Sequence, residues 1–483
     1  MEFFARGLSS TYEAEHVARL FFPRLTMAKR RPGKSSEAVW VTQTKQWLWC
    51  AVRCPQGKAF QKQRYTSETD AEYEVCRMLF SLLRDVTGNT PPWGMLTGVR
   101  PVRLLHDLRK KGMSDEQLDD FFLRRHFVLP EKLALAKEIE QNQAPVRAMT
   151  TPRSVSVYIS IPFCPSRCSY CSFVSRTTEQ SRALMEPYVD CLLLEIAQTA
   201  KLIETLHLKL ETIYIGGGTP TAITAAQLRR VMQAVKDQFD LSKVREYTVE
   251  AGRPDCTDEE KLGIIYELGA TRISINPQTL SDRVLAAIGR RHTAQDILDC
   301  FAAARRVGHR NINMDLIAGL PQDTVKGFEE SLRGAAALQP ENITVHTLTM
   351  KRASNLVIDG AESPEADVAR MLETCAALAE QDYAPYYLYR QKGTLQNLEN
   401  TGYCKPGFTG LYNVFIMEEL HTILSVGAGG STKLVAPGGH IERIFNFKYP
   451  TEYVNDFARI TEKKEGVNAF YGKYFNLDSE TVG

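Results

Sequence analysis

The sequence has no apolar run approaching the roughly 20 residues that a bilayer span requires, and residues 1–8 lack the basic start and apolar core of a secretory signal. It has almost no excess charge of either sign: 59 Lys and Arg against 57 Asp and Glu leave +2 over 483 residues. No overall basic surplus is available to grip nucleic acid or an anionic membrane, so neither is an expected partner. Low-complexity tracts are missing too. Cysteine is scarce and odd in number, 11 in all, which argues against a disulfide framework and for a reducing, cytoplasmic location. What remains is an ordinary globular composition, 43% hydrophobic and 24% charged, at a length that suits two to four domains.

The chain changes rhythm along its length. Residues 39–52 (VWVTQTKQWLWCAV) have the β-branched and aromatic content of strands, and 72–83 and 116–122 show helical spacing, so residues 1–150 read as an N-terminal α+β extension. It ends in the polar stretch 141–152, where periodicity disappears and two prolines intervene. From residue 154, strand-like runs at 155–161, 212–215, 247–250, 271–275, 311–317 and 343–348 alternate with amphipathic runs at 188–206, 225–239, 258–268, 294–307 and 325–338. Such alternation implies parallel strands with crossover helices. Six units over residues 151–350 fit a partial (β/α)6 barrel better than a small open sheet, although periodicity alone does not separate the two. In either, ligand chemistry belongs at the carboxyl ends of the strands. Residues 351–483 lose the rhythm and read as a mostly helical C-terminal unit, with a helical segment at 366–381 and a glycine-rich stretch at 427–430.

Three of the cysteines, Cys164, Cys168 and Cys171, directly follow the first strand of the barrel in IPFCPSRCSYCSF (161–173). Three thiolates on one loop can hold three irons of a [4Fe–4S] cluster and leave the fourth open. A closed zinc site would want a fourth Cys or His nearby, and none follows; three buried thiols that happen to be close are the plain alternative. Cys50 and Cys54 look like half of a similar spacing but have no third partner. After the second strand, GGGTPT (216–221) would let backbone N–H groups approach a ligand, or simply make a tight turn; it is neither a P-loop nor a dinucleotide fingerprint. Glu250, Gln278 and Asp315 stand at equivalent places in the third to fifth strands and suggest one lined cavity, each alone being equally well a satisfied core polar group. Arg290 could pair with a carboxylate there or simply cap a helix, with Arg291 beside it as a rival.

The CxxxCxxC loop resembles that of the radical S-adenosylmethionine (SAM) superfamily, which implies a [4Fe–4S] cluster on Cys164, Cys168 and Cys171 and SAM chelated to its open iron. IPFC, GGGTPT, TVEAGRPD, SINPQ, GRRHT and NMDLIAGLP, in that order, are similar to the oxygen-independent coproporphyrinogen III oxidase (dehydrogenase) family, in a branch with an N-terminal extension marked by TGVRP. By position in those motifs, Tyr158, Tyr170 and Glu250 would contact the cluster-bound SAM. Gly217, Gly218, Thr219, Gln278, Arg290 and Asp315 would line the glycine-rich side of the pocket. The resemblance implies oxidative decarboxylation of two propionates of coproporphyrinogen III to vinyl groups in haem biosynthesis. The partners implied are a tetrapyrrole substrate, a low-potential electron donor and an electron acceptor; Arg390, in the aromatic run Tyr386–Arg390, is either a candidate for the substrate carboxylates or simply a surface arginine. One departure is Phe173, where the oxidase pattern has a further cysteine. A related branch without that cysteine consists of haem chaperones, so a chaperone, or a radical SAM enzyme on another substrate, stands beside the oxidase reading.

Overall fold

Burial alternates along Trp47–Cys54, with Leu48, Cys50, Val52 and Cys54 inside and Trp49 exposed, as the period of a half-buried strand requires. The computed structural model describes residues 1–33, 35–66, 70–171, 173, 175–349 and 367–475, in two units. Unit 1 comprises Met1–Glu140 with Leu388–Glu399. Its sheet runs β2-β1-β3-β4-β5, from β1 (Glu2–Arg6), β2 (Thr26–Met27), β3 (Ala38–Gln43), β4 (Trp47–Cys54) and β5 (Gly57–Arg64). The run read as one strand at 39–52 is thus a hairpin, turning at Thr44, where the backbone N–H donates to Trp47 O. Helices α1 (Tyr12–Phe21) and α2 (Ala71–Thr87) share a core with one face of this sheet, including Phe3, Val39, Val41, Leu48, Val52 and Phe80. Cys50 and Cys54 lie on that buried face, four residues apart on one strand, as core residues.

Unit 2 comprises Gln141–Tyr387 with Asn400–Gly483. The helix Pro130–Ala148 runs through the expected end of the extension. The polar stretch is helical because its inward side chains are hydrogen-bonded: the Gln143 amide donates to Tyr386 O at 3.0 Å, and Arg147 pairs with Glu418 at 2.9 Å. The central sheet contains the six expected parallel strands, β6 (Ser154–Ile161), β9 (Lys209–Gly217), β10 (Glu246–Glu250), β11 (Arg272–Ser274), β12 (Ile312–Ala318) and β13 (Asn342–Thr347), adjacent in that order. Helices at Thr178–Thr205, Ala225–Gln238, Glu259–Glu267, Ala294–Val307 and Val325–Ala337 connect them. The helix starts carry caps: Thr224 with Gln227 and Thr293 with Asp296 form capping boxes, and Asp258 and Thr324 each accept an N–H from the first turn. The sheet does not close on itself among the described residues, giving the α/β partial barrel.

The C-terminal part contributes more strands than its sequence suggests. The expected boundary at 350/351 lies outside the described residues. Beyond it, the helical run resolves into a helix at Val368–Glu373 and a 3-10 segment at Thr374–Gln381. β14 (Ala384–Arg390) and β15 (Glu399–Cys404) extend the sheet past β13, and β16 (Thr422–Val426), β17 (Ser431–Val435) and β18 (Ile441–Phe445) extend it past β6. β16 is parallel to β6, so the Gly427–Gly430 stretch that follows it lies at the same end of the sheet as the cysteine loop.

Candidate functional site

The strands that lead to the site largely alternate apolar residues with polar or aromatic ones. Along β6 the apolar Val155, Val157, Ile159 and Ile161 alternate with Ser156, Tyr158 and Ser160. The Tyr158 ring stacks with Tyr214 of β9, centroids 5.9 Å apart, and with Tyr412 at 6.2 Å. Tyr412 belongs to helix Leu411–Glu418, whose first N–H groups donate to the buried Glu246 carboxylate. The Tyr214 hydroxyl donates to Glu250 Oε1 at 2.8 Å. Burial pushes the Glu250 carboxyl up to about 7, with the nearby Asp315 charge adding to the effect and the Tyr214 hydrogen bond opposing it. Burial would raise Asp315 as well, but His346 at 3.7 Å and the Asn313 amide at 2.7 Å hold it below the usual carboxylate range.

The cysteine loop leaves β6 directly. Phe163–Cys164 pairs with Arg176–Thr177, and the loop between them is pinned by Ser169 N donating to Ile288 O. Cys168 is buried, and Cys164 and Cys171 are half-buried. The Thr219 hydroxyl donates to Cys164 Sγ at 3.6 Å, and Arg253 donates to Cys168 Sγ at 3.6 Å while holding Ser166 O and Oγ. Asp255 fixes that guanidinium through two oxygens, at 2.9 and 2.6 Å. The glycine motif lies against the same loop: Gly218 N donates to Ile161 O and Thr219 N to Phe163 O. A Cβ on Gly218 would come within 2.6 Å of Phe163 O and 3.0 Å of Cys164 Sγ, and Gly217 has φ +115°, so both positions demand glycine. A Cβ on Gly216 would meet Glu250 Oε1 at 3.0 Å. The motif therefore lies between the cysteine loop and the Glu250 carboxylate.

Of the two neighbouring arginines, Arg290 is buried and Arg291 exposed. Arg290 donates to Asn276 O at 2.9 Å and to the Tyr170 hydroxyl at 3.2 Å, and its Nε has no partner. Gln278 adopts φ +67°, and its backbone bridges to β12 through Asp315 O and Ile317 N. The structure thus gathers the sequence-derived residues at one end of the sheet. Sequence reasoning missed Arg253, Asp255, Tyr214, His346 and Tyr412. The first two stand in the same TVEAGRPD segment as Glu250, and Tyr214 immediately precedes the segment IGGG, but nothing local marks Tyr412.

Arg390 requires correction. It belongs to unit 1, buried, with N–H groups on Leu96 O, Gly98 O and Asn397 O and its guanidinium over Trp93. Burial lowers its pKa to about 10. Its donors close loop carbonyls, so it is a structural arginine. Arginines beside the cysteine loop border two clefts: Arg167 and Arg176 line one of about 630 Å³ together with Cys164, and Arg167, Arg290 and Arg291 line another of about 540 Å³.

The loop fits an iron–sulfur cluster by the chemistry of its donors. Among the described residues no three metal-ligating side chains are already gathered around one point. The three thiols nevertheless sense one another: burial raises Cys171 to about 11, with Cys168 and Cys164 adding to it. A bound cation reverses that balance, and the hydroxyl and guanidinium N–H groups already aimed at Cys164 and Cys168 suit sulfur that carries negative charge.

The Radical SAM superfamily model matches residues 158–335. The oxygen-independent coproporphyrinogen-III oxidase-like protein HemZ of Bacillus subtilis is 40% identical over 81% of this chain and 79% of its own length. The heme chaperone HemW of the same organism is 40% identical over 41% of this chain and 51% of its own length. Among solved structures, coproporphyrinogen III oxidase (HemN) from Escherichia coli, a radical SAM enzyme, shares the fold, with a TM-score of 0.51 and 22% identity over 67% of this chain and 73% of that one. Radical SAM proteins use a [4Fe–4S] cluster and SAM. The chain belongs to the radical SAM superfamily, in the family of oxygen-independent coproporphyrinogen-III oxidase-like proteins that includes HemZ.

Proposed function

We propose that the protein carries out oxygen-independent oxidative decarboxylation of coproporphyrinogen III to protoporphyrinogen IX. The cluster would be held by Cys164, Cys168 and Cys171. With cluster and SAM bound, the site would supply one-electron reductive cleavage of SAM and, through it, hydrogen-atom abstraction from a propionate β-carbon. That propionate then loses carbon dioxide and passes one electron to an acceptor, leaving a vinyl group. The chain's own residues bind and orient. Gly217 and Gly218 let the backbone pack closely against the cysteine loop, and the Thr219 hydroxyl donates to Cys164 Sγ. Glu250 and Asp315 bring two carboxylates near each other, Tyr158 supplies a ring face, and Arg290 anchors Tyr170. The apolar outer sides of the strands and the Tyr158–Tyr214–Tyr412 stack exclude water from beneath the reacting groups. Arg176 and Arg291, at the cleft rims, are the candidates for substrate carboxylates in place of Arg390.

The observation that supports this reading above others is the reach of the similarity to the oxidase-like relative. It covers 81% of the chain, more residues than unit 2 contains, and so extends into the N-terminal unit. A second reading, a haem chaperone that keeps the cluster and transfers intact haem, is favoured by the 200-residue match to HemW and by Phe173, which is 68% exposed where the oxidase pattern has cysteine. Anaerobic incubation with SAM, a low-potential reductant, an electron acceptor and coproporphyrinogen III separates them. Vinyl product with 5′-deoxyadenosine supports the oxidase; stoichiometric haem binding and transfer to an apo-acceptor without vinyl product supports the chaperone.

A further inference from the structure

The sheet of unit 1 has one face packed on helices and, among the described residues of that unit, no helix that shares a core cluster with the other, open face. Residues directly opposite in neighbouring strands share a face, and the pairings Phe4↔Trp40, Trp40↔Ala51, Thr42↔Trp49, Trp47↔Arg64, Trp49↔Lys62, Ala51↔Phe60 and Arg53↔Lys58 define the open one. It carries Phe4, Trp40, Trp47, Trp49 and Phe60, which include three of the chain's four tryptophans. None of these rings belongs to the core on the other side. Trp49 is 36% exposed and Phe60 58% exposed, their centroids 5.4 Å apart. The same face carries Arg6, Arg53, Lys58, Lys62 and Arg64, against Glu2 as the acidic residue at its strand positions. Lys62 Nζ lies 3.8 Å from the Trp47 ring centroid and 4.6 Å from that of Trp49, so cation and ring plates are held together.

Protection of an exposed sheet edge explains part of this. β5 is an edge strand, and Lys58, Lys62 and Arg64 suit the charge such an edge needs to discourage pairing. It does not explain large aromatics turned to solvent on the inner strands β3 and β4, where small polar residues would serve. Aromatic plates beside cations, spread over neighbouring strands of an open sheet, match the bases and phosphates of an unpaired nucleic-acid strand. From this charge complementarity and ring arrangement we infer that the open face of unit 1 binds single-stranded nucleic acid, stacking bases on Trp47, Trp49 and Phe60 and placing phosphates against Arg53, Lys58, Lys62 and Arg64. The whole-chain charge of +2 conceals this face because acidic residues elsewhere cancel it.

The test uses the full chain and fluorescence anisotropy with a fluorescein-labelled, mixed-sequence RNA of about 12 nucleotides, a size within the usual span of such sites. The same sequence as single-stranded DNA and as duplex RNA provides the comparison. Saturable single-strand binding, tighter than duplex binding by about tenfold or more, is expected at low salt. The double variant Trp49→Ala/Phe60→Ala should weaken it by about tenfold or more, with circular dichroism and thermal melting unchanged. Lys58→Glu/Lys62→Glu/Arg64→Glu should flatten the plot of log affinity against log salt by about 2, the share of three phosphate contacts. Absence of saturable binding below about 100 μM at low salt would overturn the inference. So would affinity and salt slope retained in both variants. Self-association in sedimentation, or binding to phosphatidylserine vesicles, that is lost in the Trp49→Ala/Phe60→Ala variant while RNA does not bind would assign the face to another partner and equally overturn it.

Discussion

The Arg253 guanidinium donates to Cys168 Sγ at 3.6 Å while Asp255 grips it from the other side at 2.6 and 2.9 Å. A cation fixed against a ligand sulfur stabilises negative charge on it and makes an attached cluster easier to reduce. Arg253 is a positioning residue in this account. Arg253→Gln should move the midpoint potential of the reconstituted cluster to more negative values by about 60 mV, the equivalent of tenfold for one electron. Arg253→Lys should recover part of the shift. Redox titration followed by electron paramagnetic resonance reads this apart from turnover, and an unchanged potential in the glutamine variant would remove Arg253 from that role.

The cysteines divide by position in the fold. Replacing Cys164, Cys168 or Cys171 by Ala should abolish iron and sulfide incorporation and SAM cleavage. Replacing Cys50, Cys54, Cys256 or Cys404 should leave iron content unchanged, at a stability cost of about 1 kcal/mol for the buried thiols. Iron and sulfide analysis after anaerobic reconstitution checks both halves.

Glu250 links the site to pH. Its folded pKa is raised to about 7 by burial, above the ordinary value of 4.5. The native state therefore holds this proton more tightly than the unfolded chain does. The stabilisation is fully present below about 4.5 and is lost as pH rises through 7. The neutral amide of Glu250→Gln escapes that loss, so the apo variant should gain on the order of 2 kcal/mol over the parent at pH 8 and little at pH 5. Thermal melting across that range checks the sign, and the same variant should bind SAM less tightly by equilibrium dialysis.

Arg390 contributes to stability. Arg390→Ala strands the buried Leu96 carbonyl, removes the hydrogen bonds to Gly98 O and Asn397 O, and should cost about 3 kcal/mol by thermal or denaturant unfolding. Arg176→Ala and Arg291→Ala, at the cleft rims, should leave stability within about 0.5 kcal/mol of the parent and raise the KM for coproporphyrinogen III by about tenfold. An Arg390 variant of normal stability and raised KM would reverse these assignments.

The barrel was largely legible in the sequence because its signals are local. Ala294–Val307 lies between a capping box and a glycine, and its bounds are those the periodicity gives. The cysteine loop and the glycine motif were legible for the same reason, as short segments that follow strands. What failed was decided at a distance. Thr422–Val426 is five residues of ordinary β-former, and only pairing with β6 makes it a strand of the central sheet. The 141–148 segment looked irregular because its inward groups are Gln143 and Arg147, and those are satisfied by Tyr386 and Glu418 more than 200 residues away. Arg390 sits in an aromatic run that suggests a ligand site, yet the carbonyls that occupy it lie nearly 300 residues earlier or in the turn that follows. Tyr412 enters the ring stack from a helix with no motif at all.

The most direct measurement of the proposed function is product analysis of one anaerobically reconstituted preparation, given SAM, reductant, an electron acceptor and coproporphyrinogen III, with haem binding titrated on the same sample. Vinyl-containing product and carbon dioxide are expected, with one 5′-deoxyadenosine formed for each propionate lost. SAM cleavage with no vinyl product, on a sample that binds haem stoichiometrically, would contradict the proposed function.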